Sequence, residues 1–294
     1  MASSTSTVVP SRPVLSASTA NAIRYTARRT GITVGTILLS ALILAVLWQV
    51  AIVVVGQSPF IAKGPIDVVN YFTRDGSDGT AGEHRALLAG LLGVTLSDAA
   101  LGFVIGLALS ITISIAFVLF RPIEFMFMPI AMLLRTVPLL AMAPVIYIIF
   151  GNGRVTAALI GTVVVLFPVL VNLTVGLRSV SQQSVDLVTV YGGHRLTVLR
   201  KVAIPTALPH LFASMRIAVP GAITGAMLYE YLFTTTGLGA AVTSAKAAFD
   251  YPQLWAATVL ATIVSIVLYT ITTIIEAAVL SEWGPDAGRA PGNQ

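Results

Sequence analysis

Arg135, Arg216 and Glu230 are ionisable side chains inside long apolar runs of this 294-residue chain. A charge in hydrocarbon is costly, so such a residue faces protein or a water-filled cavity and marks where chemistry is to be sought. For the two arginines the options are attraction of an anion, or pairing with a backbone carbonyl, a lipid headgroup or an acidic side chain. Pairing is favoured, because both lie toward one end of their runs and could snorkel. For Glu230 a bond to the turn Gly237-Leu238-Gly239 is favoured over contact with a solute. Other chemistries lack their residues. The chain has no cysteine, and His84, His194 and His210 have no metal-ligand spacing. No phosphate loop, zinc-protease motif, nucleophile elbow or paired catalytic carboxylates occur. Asn172 and Thr174 form a glycosylation sequon only formally, because they fall within an apolar run.

The elements that must position these residues follow from composition. Hydrophobic residues make up 56% and charged residues 10% of the chain, against roughly 25% charged in a soluble domain. The apolar excess faces lipid, and a span needs roughly 20 apolar residues in a helix. Six runs qualify: Thr33–Val55, Ala99–Phe120, Phe125–Phe150, Val155–Leu177, Leu208–Phe233 and Leu254–Leu280. The segment from Gln57 to Asp98 contains a turn at Asp75–Gly79 and a surface-lying helix at Ala86–Leu92. Pro138, Pro144, Pro168 and Pro220 interrupt spans three to five, which is tolerated where helices pack or a cavity supplies water. Gly102-x-x-x-Gly106 and Gly221-x-x-x-Gly225 offer close-packing faces.

Basic residues set the orientation. Arg12, Arg24, Arg28, Arg29, Arg121, Arg178, Arg195, Arg200, Lys201 and Arg289 share one side, and Lys63, Arg74, Arg85, Arg154 and Lys246 the other. The richer side is expected to be cytoplasmic, with both termini there. Residues 1–30 are expected to form a disordered cytoplasmic tail, 31–282 the transmembrane domain with a cytoplasmic loop at 178–205, and 283–294 a second tail. The net charge of +5 is scattered, and no basic patch for nucleic acid is present.

The loop carries the most informative pattern. From Ser184 to Pro209 it reads as two short helices hinged at Gly192-Gly193. Leu196, Leu199, Val202 and Ala203 fall on one helical face, with Arg195 and Lys201 away from it. Pro205 is expected to end this helix and Pro209 to open the next span. Such an element suits either docking into a partner's groove or lying on the lipid surface.

The loop resembles the EAA loop of ABC-importer permeases. Asp186-Leu187-Val188 stands where that family has Glu-Ala-Ala, Gly192 at its glycine, and Ile204-Pro205 and Leu208-Pro209 at its proline steps. Asp186 is one methylene shorter than Glu, and Leu187 and Val188 are bulkier than Ala. Pro138–Pro144 with Phe150–Gly153, Phe167–Asn172, and Arg216–Ala218 with Glu230 and Gly237–Gly239 are similar to the branch importing nitrate, sulfonates, taurine and small heterocycles such as pyrimidine precursors. The resemblance covers about residues 57–280.

It implies an all-α, MetI-like permease of about six spans in a prokaryotic plasma membrane. It further implies a cytoplasmic ABC ATPase dimer that holds ATP and magnesium, no cofactor in this chain, a second permease copy or paralogue, and an extracytoplasmic solute-binding protein. Asp186, Gly192, Gly193, Arg195, Leu196, Leu199, Arg200 and Lys201 become candidates for coupling to the ATPase. Arg135, Pro138, Pro144, Asn172, Arg216 and Glu230 become candidates for the translocation path. The alternative is an ion-coupled secondary transporter or channel. That class tends to place carboxylates near the midplane, whereas Glu230 and Glu276 lie near span ends.

Overall fold

The computed structural model describes residues 39–76 and 79–283. The expected tails, 1–30 and 284–294, lie outside them. The chain divides into two units, residues 1–65 and 66–294. The first is described through α1 (Leu39–Val55), which stops at Gly56, a residue with φ +66°. Residues 33–38 of the first expected span are not among those described.

The second unit is helical throughout its named elements. α2 (Pro65–Thr73) is followed by α3 (Ala81–Leu119), α4 (Arg121–Leu134), α5 (Leu139–Phe150) and α6 (Arg154–Arg178). Then come α7 (Gln182–Val190), α8 (Arg195–Val198), a π turn (Leu199–Ala203), α9 (Ile204–Phe233), α10 (Leu238–Ala247) and α11 (Tyr251–Trp283). Among the described residues, four stretches are long and apolar enough to cross a bilayer: α3, α6, Arg195–Phe233 and α11. The pair α4–α5 adds a fifth if counted as one broken span.

Three expectations need correction. The third span, Phe125–Phe150, is not one helix: α4 and α5 meet at 105°. Pro138 has no N–H to continue the ladder and disfavours a helical Val137, and Thr136 Oγ1 donates to the Leu133 carbonyl at 2.7 Å to close the turn. Ala86–Leu92 is not a separate surface helix; it belongs to the 39-residue α3. A capping box starts that helix at Thr80: Glu83 N–H donates to Thr80 Oγ1, and Thr80 N–H donates to Glu83 Oε2. At 1.5 Å per residue α3 is about 58 Å long, so part of it projects beyond a hydrocarbon core of about 30 Å. Finally, Pro205 does not end a helix. Helical backbone runs unbroken from Arg195 to Phe233, because the π turn, in which Ile204 N–H bonds the Leu199 carbonyl, widens the coil where the proline ring would otherwise strike a carbonyl.

The core forms where α3, α6 and α9 cross. A Cβ on Gly102 would lie 2.8 Å from Gly161 Cα, and one on Gly225 3.2 Å from the same atom, so the three backbones touch through glycines. A Cβ on Gly106 would lie 2.8 Å from Val165 Cβ. One and two turns beyond Gly106, hydroxyls continue the α3–α6 contact: Ser110 Oγ donates to the Leu166 carbonyl at 3.0 Å and Ser114 Oγ to that of Leu170 at 3.2 Å. Lipid supplies no hydrophobic drive for helices to associate, so close contact and such bonds must hold them. Ala99, Val165, Val169, Ala218, Ala222, Ile223 and Ala226 fill the layer around the glycines. At the far end of α3 the Tyr71 ring of α2 stacks on His84, with centroids 4.1 Å apart.

Gly102→Leu is therefore expected to lower the thermal unfolding midpoint of the purified protein in detergent. An overpacked core costs typically about 1–3 kcal/mol. Gly90→Ala, whose added Cβ meets no atom within 4 Å, is expected to leave the midpoint unchanged. Equal midpoints for the two variants would contradict the glycine crossing.

Candidate functional site

The loop after α6 is built as an elbow. Arg178, the last residue of α6, forms an ion pair with Glu124 of α4. Ser181 then caps α7, its Oγ accepting from Ser184 N–H at 3.3 Å. Asp186 is on the exposed face in mid-helix, accepting from Gln182 Nε2 at 2.9 Å, so the cap belongs to Ser181 and not to Asp186. α7 ends in a Schellman turn: Gly193 N–H donates to the Val188 carbonyl and Gly192 N–H to that of Thr189, each at 2.9 Å. Gly192 has φ +78°, the left-handed conformation this turn requires. A Cβ on Gly193 would run into the Val188 side chain and lie 2.8 Å from its carbonyl oxygen.

Burial divides the coupling candidates. Leu199 is buried with Leu173, Leu177, Ala203 and Ala207, so it anchors the elbow to the bundle and presents nothing outward. The apolar face expected from Leu196 through Ala203 is thus split. α7 has no buried residue, and Leu187, Val190, Tyr191 and Leu196 are 61%, 83%, 85% and 53% exposed. Arg195, Arg200 and Lys201 are exposed around them.

The path candidates do not gather in one place. Arg135 is exposed at the break between α4 and α5, with Pro138 opening α5 and Pro144 exposed inside it. Asn172 is half-buried on α6. Arg216 of α9 pairs with Glu276 of α11, Nε to Oε2 3.2 Å.

Glu230 is fully buried near the end of α9. Its Oε2 accepts from Gly239 N–H and from Thr95 Oγ1, each at 2.9 Å, and Thr95 Oγ1 in turn accepts from Leu238 N–H at 2.9 Å. This node ties α3, α9 and the start of α10 together. Gly237, at φ +94°, leaves no room for a Cβ, which would meet the Glu230 carboxylate. Thr95 was not singled out from sequence; it lies 135 residues from its partner. Beside the node, Tyr229 Oη donates to Asn152 Oδ1 at 2.7 Å and accepts from Gly153 N–H at 3.0 Å. These bonds border a cavity of about 440 Å³ whose lining includes Asp98 and Arg154, and none of the six path candidates is part of that lining. Among the described residues no cluster of His, Asp or Glu could hold a metal ion.

A bundle of long apolar helices, closed by small residues and carrying a preorganised elbow, defines a polytopic α-helical membrane protein of the permease type. The chain belongs to the family of binding-protein-dependent transport system inner membrane components, which it matches over residues 84–281. It is 28% identical to the riboflavin transport system permease protein RibX of Chloroflexus aurantiacus over 80% of this chain and 85% of that one. It is 28% identical to the formylaminopyrimidine transport permease protein ThiX of Halalkalibacterium halodurans, over 73% and 82%. It is 29% identical to the putative aliphatic sulfonates transport permease protein SsuC of Bacillus subtilis, over 71% and 73%. Each of these relatives is named as a transport permease.

The buried node yields a mutational test. Thr95→Val removes one donor and one acceptor while keeping shape, and leaves Leu238 N–H without its partner. Stranding a buried polar group costs about 1–3 kcal/mol. Thr95→Val is expected to destabilise the purified protein, read as a fall in thermal midpoint, whereas Thr95→Ser, which retains the hydroxyl, is expected to lose much less. Equal losses would mean that the methyl packing, and not the bonds, matters there.

Proposed function

We propose that this chain is the membrane-spanning permease subunit of an ATP-driven importer of a small solute. Two such subunits, identical or related, enclose the path, and a solute-binding protein outside delivers the cargo. The observation that carries the reading is the elbow. α7, with no buried residue, capped by Ser181 and closed by a Schellman turn, and the α8 turn after it together present four exposed apolar side chains beside three cations. Its shape is fixed before any partner arrives, which lowers the ordering cost of docking.

In this reading the elbow seats on a cytoplasmic ATPase that carries ATP and magnesium, since this chain has no phosphate loop of its own. Leu187, Val190, Tyr191 and Leu196 enter the groove, with Arg195, Arg200 and Lys201 at its rim. Gly192 and Gly193 set the aim, and Asp186 lies exposed on the seated helix. The Lys and Arg asymmetry supports placing this loop and both termini in the cytoplasm of a prokaryote. Closure of the ATPase pair then moves the elbow, and the unbroken helix from Arg195 to Phe233 carries the movement across the bilayer as a rigid body. The bent α4–α5 pair, with Arg135 and Pro138 at its break and Pro144 beyond it, borders the path together with Asn172, because backbone interrupted at membrane depth needs a polar surrounding. Arg216 and Glu230 are tied to protein partners and support the walls. The relatives' names span a flavin, a pyrimidine and aliphatic sulfonates, so the cargo is a small heterocycle or a sulfonate- or nitrate-like anion.

The test is co-purification of the ATPase with the permease beside uptake in the same membranes. Gly192→Val forces a branched residue into a left-handed turn, at a cost of about 1–2 kcal/mol before any loss of docking. Gly193→Val adds the clash with Val188. Both are expected to leave the protein inserted while ATPase recovery and uptake fall together. Leu187→Ser, which disturbs no buried contact, is expected to weaken recovery more mildly. Full recovery and full uptake with Gly193→Val would remove the elbow as the coupling element.

A further inference from the structure

The cavity of about 440 Å³ lies at the end of the bundle remote from the elbow, between α3, the start of α6 and the end of α9. Asp98 lines it, is only 8% exposed, and has no hydrogen bond or ion pair of 4 Å or less among the described residues. A carboxylate left in this state within a membrane helix costs free energy unless something meets it. Arg154 lines the same cavity from the first turn of α6 and is exposed. Tyr229 and Phe233 contribute ring surface, and Phe233 is itself held by stacking on Tyr147 with centroids 4.3 Å apart. Asn152 and Thr234–Thr236 complete a polar rim.

We propose that this cavity is a solute-binding site of the importer, which takes a planar heterocycle bearing an N–H donor beside a carbonyl acceptor. The inference rests on the importer reading. Asp98 accepts from the ring N–H, Arg154 donates to the carbonyl, and the aromatic side chains cover the ring. The volume falls within the range that holds a small ligand. A simple anion is drawn by Arg154 but repelled by Asp98 in the same space, so the pair of charges discriminates against it. Tyr229 links the cavity to Asn152 and Gly153 and is adjacent to Glu230, so a ligand seated here touches the same helix end that the buried node pins to α3 and α10.

The chain has no native cysteine, so a single Ser97→Cys in the full transporter complex gives a clean thiol at the cavity wall. The readout is its rate of modification by a neutral methanethiosulfonate reagent, alone and with millimolar uracil, taurine or nitrate. A ligand at twice its dissociation constant slows modification about threefold. Uracil is expected to give such protection, and Asp98→Asn and Arg154→Gln each to abolish it. If Asp98→Asn fails to assemble, the exposed Arg154 carries the test. Protection by nitrate or taurine but not by uracil would overturn the proposed ligand class, and absence of protection by all three, or of any modification, would overturn the site. Co-purification of the ATPase from the same sample reads the importer proposal separately, so a failure of one is not mistaken for a failure of the other.

Discussion

The approach of three helix backbones at Gly102, Gly161 and Gly225 is the constraint on which the rest of the second unit depends. Only hydrogen fits at these points, since any Cβ would come within about 3 Å of another helix's backbone. In lipid the gain from such contact is close packing with no contribution from apolar burial, so it is lost sharply with distance. The hydroxyls of Ser110 and Ser114 can reach α6 carbonyls only because the backbones are this near. Four alanines, Ala99, Ala218, Ala222 and Ala226, pack around the crossing, with Val165, Val169 and Ile223 filling the space between them.

From this crossing the fold extends in two directions along one helical element. Toward the elbow, the π turn lets the helix pass Pro205 without a break, while Leu199 and Ala203 seal it against Leu173 and Leu177. Toward the other end, Glu230 fastens the last turns of α9 to Thr95 and to the amide of Gly239. A displacement applied at the elbow therefore meets no hinge before the helix end, where the buried carboxylate and the neighbouring cavity lie. The sharp bend among the described helices is elsewhere, at the 105° break between α4 and α5.

What was legible from sequence was whatever depends on local composition. Apolar run length places α6 to within one residue at each end and α11 to within three, and Gly192-Gly193 marks the turn that closes α7. Glu230 was paired with the right turn because the two are neighbours along the chain. What was not legible depends on three-dimensional neighbours. Pro138 bends its span while Pro209 and Pro220 remain inside a helix, and a proline alone does not say which, because membrane helices re-satisfy freed carbonyls in several ways. Leu196 and Leu199 share a helical face on a wheel, yet one is exposed and the other packs on α6. Thr95 and Asp98 fall just ahead of the second apolar run, and a polar residue in the first half of a long helix has no periodic signal of its own.

The central proposal is that the elbow meets the ATPase. It is tested most directly by a photo-crosslinker on a single Tyr191→Cys in the otherwise cysteine-free chain, within the assembled transporter in membranes. Irradiation is predicted to yield an adduct whose mass equals that of permease plus ATPase subunit, while the same label on Phe249→Cys, exposed at the opposite end of the bundle, gives none. Crosslinking of the ATPase from position 249, or of lipid alone from position 191, would contradict it.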